Sequence, residues 1–375
     1  MTALTTQIPL VDLSIQHREV AQDVAEGFER VLSTGAYVLG PDVAAFESEF
    51  AEYCGVARCV GVANGTDAVE LALRAVGVRP GDEVIIPANT FVATAGGVRR
   101  AGAIPVLVDC DADFLLMDPD RVDERITSRT RAILPVHLYG QLAPMGRIRE
   151  IAERHQLALV EDAAQAQGAD HLGRRAGAWG DVAATSFYPG KNLGAYGDGG
   201  AVMTDSATIA DTLLGLRNHG STVKYQHPQL GFNSRLDTLQ AVVLRAKLTR
   251  LDVWNAQRRA AADRYARLLA GVAGVQLPAT LPGNCHVWHL FVIQVDDRDR
   301  VLAELNAEGV GAGIHYPLPV HLQGAYAELG YGVGDFPAAE HAAGRILSLP
   351  IFSGIAAEQQ EHVVDVLVRA MSSGG

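Results

Sequence analysis

The amino-acid sequence predicts an α/β fold, with a large domain on a mostly parallel seven-stranded sheet and a smaller α+β domain toward the C-terminus. Three observations carry that expectation. Between about residues 58 and 205, short runs rich in Val, Ile and Leu alternate with helical patterns, the rhythm of βαβ units whose strands are covered on both faces. Gly or Pro punctuates nearly every junction between them. After about residue 270 that rhythm stops, and a strand-like stretch and two helical stretches follow.

The strand runs are Cys59 to Ala63, Glu83 to Pro87, Ile104 to Asp109, Ala132 to Leu138, Ala158 to Asp162, Val182 to Tyr188 and Gly200 to Thr204. Thr66 to Val76 places apolar residues at helical spacing behind a Thr-Asp start, which suits an N-cap and a negative first turn. Leu236 to Leu269 lacks Pro and Gly and reads as one long helical connection, so the domains are expected to span residues 1–250 and 251–375. In the second, His289 to Val295 reads as a strand, with helices over Arg298 to Glu308 and Glu358 to Met371.

With 375 residues, 48% hydrophobic and 20% charged, and no repeat or low-complexity tract, the chain reads as globular. Its net charge of −12 argues against a nucleic-acid binder, whose affinity comes from clustered cations. No apolar run approaches the roughly 20 residues that cross a bilayer, and the first residues lack a cationic start followed by an apolar block. A cytoplasmic protein without membrane or nucleic-acid partners is expected. The four cysteines, Cys54, Cys59, Cys110 and Cys285, are too few and scattered for a disulfide framework and read as reduced thiols. His286 and His289 precede a strand pattern rather than lying on a helix, so no metal site is expected.

Lysine is scarce. Of 31 cationic residues only Lys191, Lys224 and Lys247 are Lys. Lys247, mid-helix in LRAKLTR, reads as part of a solvated face, and Lys224 lies in a polar loop. Lys191 stands beyond a strand end and the turn Pro189-Gly190, where burial can free its amine for Schiff-base formation; an exposed loop lysine is the alternative. Asp162 ends the strand ALVED, and groups outside the carboxyl ends of strands converge on the ligand crevice of such sheets. A carboxylate there can pair with a protonated pyridine nitrogen, or it can cap a following helix. Asn64-Gly65-Thr66-Asp67 can offer backbone amides and a hydroxyl to a phosphate, or be an ordinary capped turn. Phe91 can stack on a planar ring or be core, and Ser186 can add a phosphate hydrogen bond. No G-x-S-x-G elbow, H-E-x-x-H pair, P-loop or G-x-G-x-x-G after a first strand is present.

In order, Asn64 to Asp67, Pro87 to Phe91, Glu161 to Gln165, SFYPGKNLGAYGDGGA (Ser186 to Ala201), Gly231-Phe-Asn-Ser-Arg235 and His315-Tyr-Pro-Leu-Pro-Val-His321 resemble the DegT-type nucleotide-sugar aminotransferases, which depend on pyridoxal 5'-phosphate (PLP). The resemblance runs from Val11-Asp12-Leu13 to Ser348-Leu-Pro350. It implies a fold-type I aminotransferase with a PLP-binding large domain, and a homodimer whose active sites lie at the subunit interface. It implies that Lys191 forms the internal aldimine, Asp162 holds the pyridinium nitrogen, Gln165 lies near the phenolic oxygen and Phe91 stacks on the ring. Gly65, Thr66 and Ser186 would bind the phosphate, with Asn233 arriving from the partner subunit. Tyr188, Tyr225, Tyr316, Arg235 and His321 are implied sugar and diphosphate contacts. The family often has His where this chain has Gln165, and both can donate or accept a hydrogen bond. Relatives that dehydrate C-3 replace the lysine with histidine, so Lys191 implies transamination. Around the lysine the sequence is most similar to the 3-aminotransferases of TDP-3-keto-deoxysugars, of the desosamine-pathway type, with L-glutamate as the implied donor. A C-4 keto sugar or a keto-inositol is the nearer alternative substrate. A non-catalytic regulatory protein that kept the fold is the more distant alternative.

Overall fold

The computed structural model describes residues 7–372, so the first six and last three residues assigned to the two domains lie outside it. In chain order its helices are α1 (Leu13–Thr34), α2 (Pro41–Cys54), α3 (Gly65–Ala75), α4 (Val92–Arg100), α5 (Met145–His155), α6 (Ala207–Leu216), α7 (Thr238–Leu248), α8 (Leu251–Leu268), α9 (Arg298–Ala307), α10 (Pro337–Arg345) and α11 (Ala357–Ser372). Its strands are β1 (Arg58–Val62), β2 (Glu83–Pro87), β3 (Ile104–Val108), β4 (Thr130–Ile133), β5 (Ala158–Asp162), β6 (Asp170–His171), β7 (Arg174–Arg175), β8 (Val182–Ser186), β9 (Gly200–Thr204), β10 (Val275–Gln276), β11 (Asn284–Cys285), β12 (Phe291–Val295) and β13 (Ile346–Leu349). None of the described helices is long and apolar enough to cross a membrane.

The main sheet has seven strands, as the seven apolar runs predict, in the order β1-β9-β8-β5-β4-β2-β3. β9 is antiparallel to both of its neighbours, and every other pairing is parallel. β2 and β9 are buried along their whole length, which is why they read as unbroken apolar runs. Three runs are shorter than the pattern suggested, that of β3 by the single residue Asp109. Strand β4 stops at Ile133, two residues before Pro135, which has no amide proton to give a ladder. Strand β8 stops at Ser186, beyond which Phe187 instead donates to Gly199 O and accepts from Ala195 N. That departure starts the loop carrying Lys191.

The helix after β1 begins one residue earlier than the Thr-Asp start implied. Asn64 is its N-cap and accepts from Asp67 N at 2.8 Å. The single helix expected over 236–269 is two. The Thr249 hydroxyl bonds Ala246 O at 2.7 Å, a side-chain bond that competes with the helical ladder, and α8 restarts where Arg250 and Trp254 both grip Glu19 of α1.

The smaller unit packs α8, α9 and α11 on the antiparallel sheet β10-β12-β13. Its core holds Tyr265, Phe291, Leu347 and Phe352, together with Ile8 from the other end of the chain. Ile8 pairs with Val310 in parallel, and Ile351 N donates to Leu10 O at 3.2 Å. The N-terminal segment is thereby tied to the second core while Leu10 and Val11 reach the rim of the main cavity.

Candidate active site

Strand ends, the first turn of α3, the loop after β8 and the segments around His289 and His315 enclose one cavity of about 830 Å³. Nine of the sequence-predicted residues line it: Gly65, Thr66, Phe91, Asp162, Gln165, Ser186, Tyr188, Lys191 and Tyr316. Four do not. Tyr225 is 84% exposed beneath the Lys224 ammonium, 5.1 Å from its ring centre. Asn233 is exposed, and Arg235 bonds Asn218 at 3.3 Å. His321 is buried away from the cavity, its Nε2 2.9 Å from Glu340 of α10.

The loop that carries Lys191 is closed on itself. Lys191 N donates to Tyr188 O and Ala195 N to Phe187 O, both at 2.8 Å. A Cβ on Gly194 would sit 2.2 Å from Pro189 O, so only glycine closes the turn. Burial pulls the Lys191 ammonium from 10.5 down to about 8, against the opposing pull of the Asp162 carboxylate. The amine is therefore half neutral near pH 8 and increasingly neutral as pH rises. Reductive methylation of Lys191 in cofactor-free protein, mapped by mass spectrometry, should show its midpoint near pH 8; a midpoint above 10 would refute the burial argument.

Asp162 is 6% exposed and held from two sides. Oδ2 accepts from Thr94 Oγ1 at 2.8 Å, and Oδ1 accepts from Ala164 N at 3.1 Å. No helix follows it, so the capping alternative fails. A carboxylate has about four acceptor positions, and two are taken, which leaves capacity for a cationic donor in the cavity. Beside it, Gln165 Oε1 accepts from Tyr139 N at 2.7 Å, and Nε2 donates to Tyr316 Oη at 3.0 Å. One amide proton of Gln165 remains for a ligand. The Phe91 ring, 4.9 Å from that of Tyr316, is 47% exposed and offers an apolar face in the cavity.

At the far end, α3 and Ser186 form a cup. A Cβ on Gly65 would lie 2.5 Å from Ser186 Cβ, so glycine is required for the approach. Asn64 takes the Asp67 and Ala68 amides, which leaves those of Gly65 and Thr66 without helical partners. Asp67 turns away from the cup, pairing with Arg100 at 2.9 Å and Ser234 at 2.7 Å, so its charge does not oppose an anion there. Phosphate cup, apolar face, buried carboxylate and neutralisable amine together fit PLP.

Several contributing residues were not evident from sequence. Thr94 orients Asp162, and no local pattern marks it. Asn192 donates both amide protons, to Asn255 Oδ1 at 2.8 Å and Val287 O at 2.9 Å. Its oxygen must therefore accept from His289 Nδ1–H at 3.2 Å, which fixes that tautomer and leaves Nε2 unprotonated. His289, weighed in the sequence only as half of a metal pair, instead lines the cavity. Burial and the Lys191 charge hold His289 far below its ordinary range and His315 down to about 4, so both are neutral. Lys247, expected on a solvated face, is 2% exposed, and its Nζ donates to Gly194 O at 2.7 Å.

The sequence matches the DegT/DnrJ/EryC1/StrS aminotransferase family over residues 18–368. The chain belongs to this family. Among the aminotransferase's relatives, the erythromycin biosynthesis sensory transduction protein EryC1 of Saccharopolyspora erythraea is 51% identical over 360 residues, 96% of this chain and 98% of that protein. The dTDP-3-amino-3,4,6-trideoxy-alpha-D-glucose transaminase of Streptomyces venezuelae is 48% identical over 365 residues, 97% and 96% of the two chains. The crystal structure of S. venezuelae DesV in complex with a ketimine intermediate matches with a TM-score of 0.95 at 48% identity, covering 97% of this chain and 98% of that one. The expected fold class and family are thus both met, and the protein is an aminotransferase.

Proposed function

We propose that this aminotransferase uses PLP to move an amino group from L-glutamate to the C-3 ketone of a TDP-linked deoxyhexose, in the cytoplasm and as a homodimer. The observation that carries the reading is one cavity in which a lysine with its amine near 8 faces a buried carboxylate, beside an anion cup. The name of the S. venezuelae relative supports the sugar and the carbon. The name of the erythromycin relative is that of a sensory protein, but a purely regulatory role gives no reason to bury Lys191 opposite Asp162.

The amides of Gly65 and Thr66 and the Ser186 hydroxyl would hold the phosphate, and Asp162 would pair with the pyridinium nitrogen. Phe91 would cover one ring face and Gln165 would donate to the phenolic oxygen. Bound there, PLP would supply an electron sink for the carbon bearing the amine. Lys191 takes and returns the proton, because its basicity is matched to near-neutral pH. Asp162, fixed by Thr94 and Ala164, presents its carboxyl group to the cavity. His289 and His315, held neutral, add no positive charge around Lys191 and leave it the working base.

The homodimer reading rests on charge. A nucleotide diphosphate needs cations, yet of the cavity's Arg and Lys side chains Arg100 is already paired with Asp67 and Glu70, and Lys191 is reserved for chemistry. Residues 218–235, with Lys224, Tyr225, Asn233 and Arg235, lie outside the chain's own cavity. Such a segment suits the site of a second copy.

The test is mass spectrometry of the product formed from a synthetic TDP-3-keto-6-deoxyhexose and ¹⁵N-labelled L-glutamate. Label at C-3 is expected. Faster turnover of a 4-keto isomer or a keto-inositol would reject the assignment of the carbon or the sugar.

A further inference from the structure

Lys247 is a buried amine that the chemistry above does not use. It lies on α7, and burial alone pulls it down to about 8, with no carboxylate acting on it. Its Nζ donates to Gly194 O at 2.7 Å and lies 4.7 Å from the centre of the Tyr196 ring. A methionine would fill the same space without the cost of burying an ammonium, so packing does not explain an amine there. The carbonyl it holds does suggest a reason: Gly194 is three residues beyond Lys191 and closes the same turn.

The grip is wider than one bond. Gln240, two helical turns before Lys247 on the same face of α7, accepts from Tyr196 N at 2.8 Å. The Tyr196 hydroxyl lies 2.6 Å from His17 Nδ1 of α1. From the opposite flank Asn192 is bonded to Asn255 of α8 and to Val287 O. Lys191 stands between these anchors. Its amine swings on four methylenes, so the ground it can cover is set by where its Cα is fixed.

We propose that Lys247 is a positioning residue for Lys191: by holding the Gly194 carbonyl it fixes the closing end of the 188–195 turn and so sets where the Lys191 amine can reach. The inference rests on the aminotransferase reading for its consequence, but its contact is read without cofactor.

The test is hydrogen exchange by mass spectrometry on the cofactor-free full chain, comparing wild type with Lys247→Met, Lys247→Arg and Lys247→Gln. In Lys247→Met, exchange across residues 187–196 should rise about tenfold while Phe291–Val295 of β12 stays at the wild-type rate. Lys247→Arg, which keeps a cationic donor, should restore most of the protection. With PLP and substrates added, kcat of Lys247→Met should fall about tenfold with KM for the amino acid changed less than about twofold. Wild-type exchange over 187–196 in Lys247→Met overturns the proposal, as does a rise shared equally by both segments that Lys247→Arg does not repair. If Lys247→Met does not fold, Lys247→Gln, which shortens the stem and removes the cation, decides: a rise confined to 187–196 supports the proposal, and no rise overturns it. A chain that shows the exchange pattern but never binds PLP at Lys191 would defeat the functional reading and leave the contact standing.

Discussion

Lys191→Ala is expected to lower amino transfer by about 10⁴-fold or more, because it removes both the nucleophile and the proton carrier at one atom. Lys191→Arg should do no better: it keeps the charge, but a guanidinium does not give up its proton in a protein. In both variants borohydride treatment of PLP-loaded protein should leave no cofactor attached after denaturation, and the visible band of the wild type should be missing. Folding is not at stake, since the residues that close the turn are Gly194, Ala195 and Phe187 through their backbones. Turnover within tenfold of wild type in either variant would reject Lys191 as the base.

Asp162→Asn should lower kcat by about 10³-fold while the chain still folds and binds PLP. Asparagine is isosteric, and its oxygen can still accept from Thr94 or Ala164, so the loss is one of charge. The sign of a second effect follows. Asp162 raises the Lys191 affinity for a proton, so removing its charge should move the Lys191 methylation midpoint lower still, below about 8. A midpoint that stays or rises, together with an unchanged kcat, would show that the two groups do not face each other in solution.

Much of this site was legible because it hangs on the strands of the main sheet. Strands buried on both faces are written mainly in small and branched apolar residues, and strand ends point at the crevice, so Asp162 and Ser186 could be placed from sequence. Lys191 stood out through its glycine and proline neighbours. What escaped depends on distant chain segments. Lys247 sits among Arg245, Thr249 and Arg250 and looks solvated, and the segment that buries it, 194–196, lies about fifty residues earlier. The break between α7 and α8 has no Gly or Pro to announce it, because a threonine hydroxyl and contacts to Glu19 make it. Asn64, Thr66 and Asp67 are all residue types that cap helices; the bond from Asp67 N to Asn64 shows that Asn64 has the role, while the Asp67 side chain is taken by Arg100 and Ser234. His321, in a motif that points toward the site, is claimed by Glu340 from a helix nineteen residues later.

The pairing of Ile8 with Val310 bears on how the chain folds as it is made. At about 5–20 residues per second, residue 8 is synthesised about 15 to 60 s before its partner. Through that interval the Ile8 segment has no neighbour to cover it, whereas the β1-to-β9 region can already assemble. The main sheet can therefore be complete before the second core, because that core needs the Ile8 segment and the Val310 segment together.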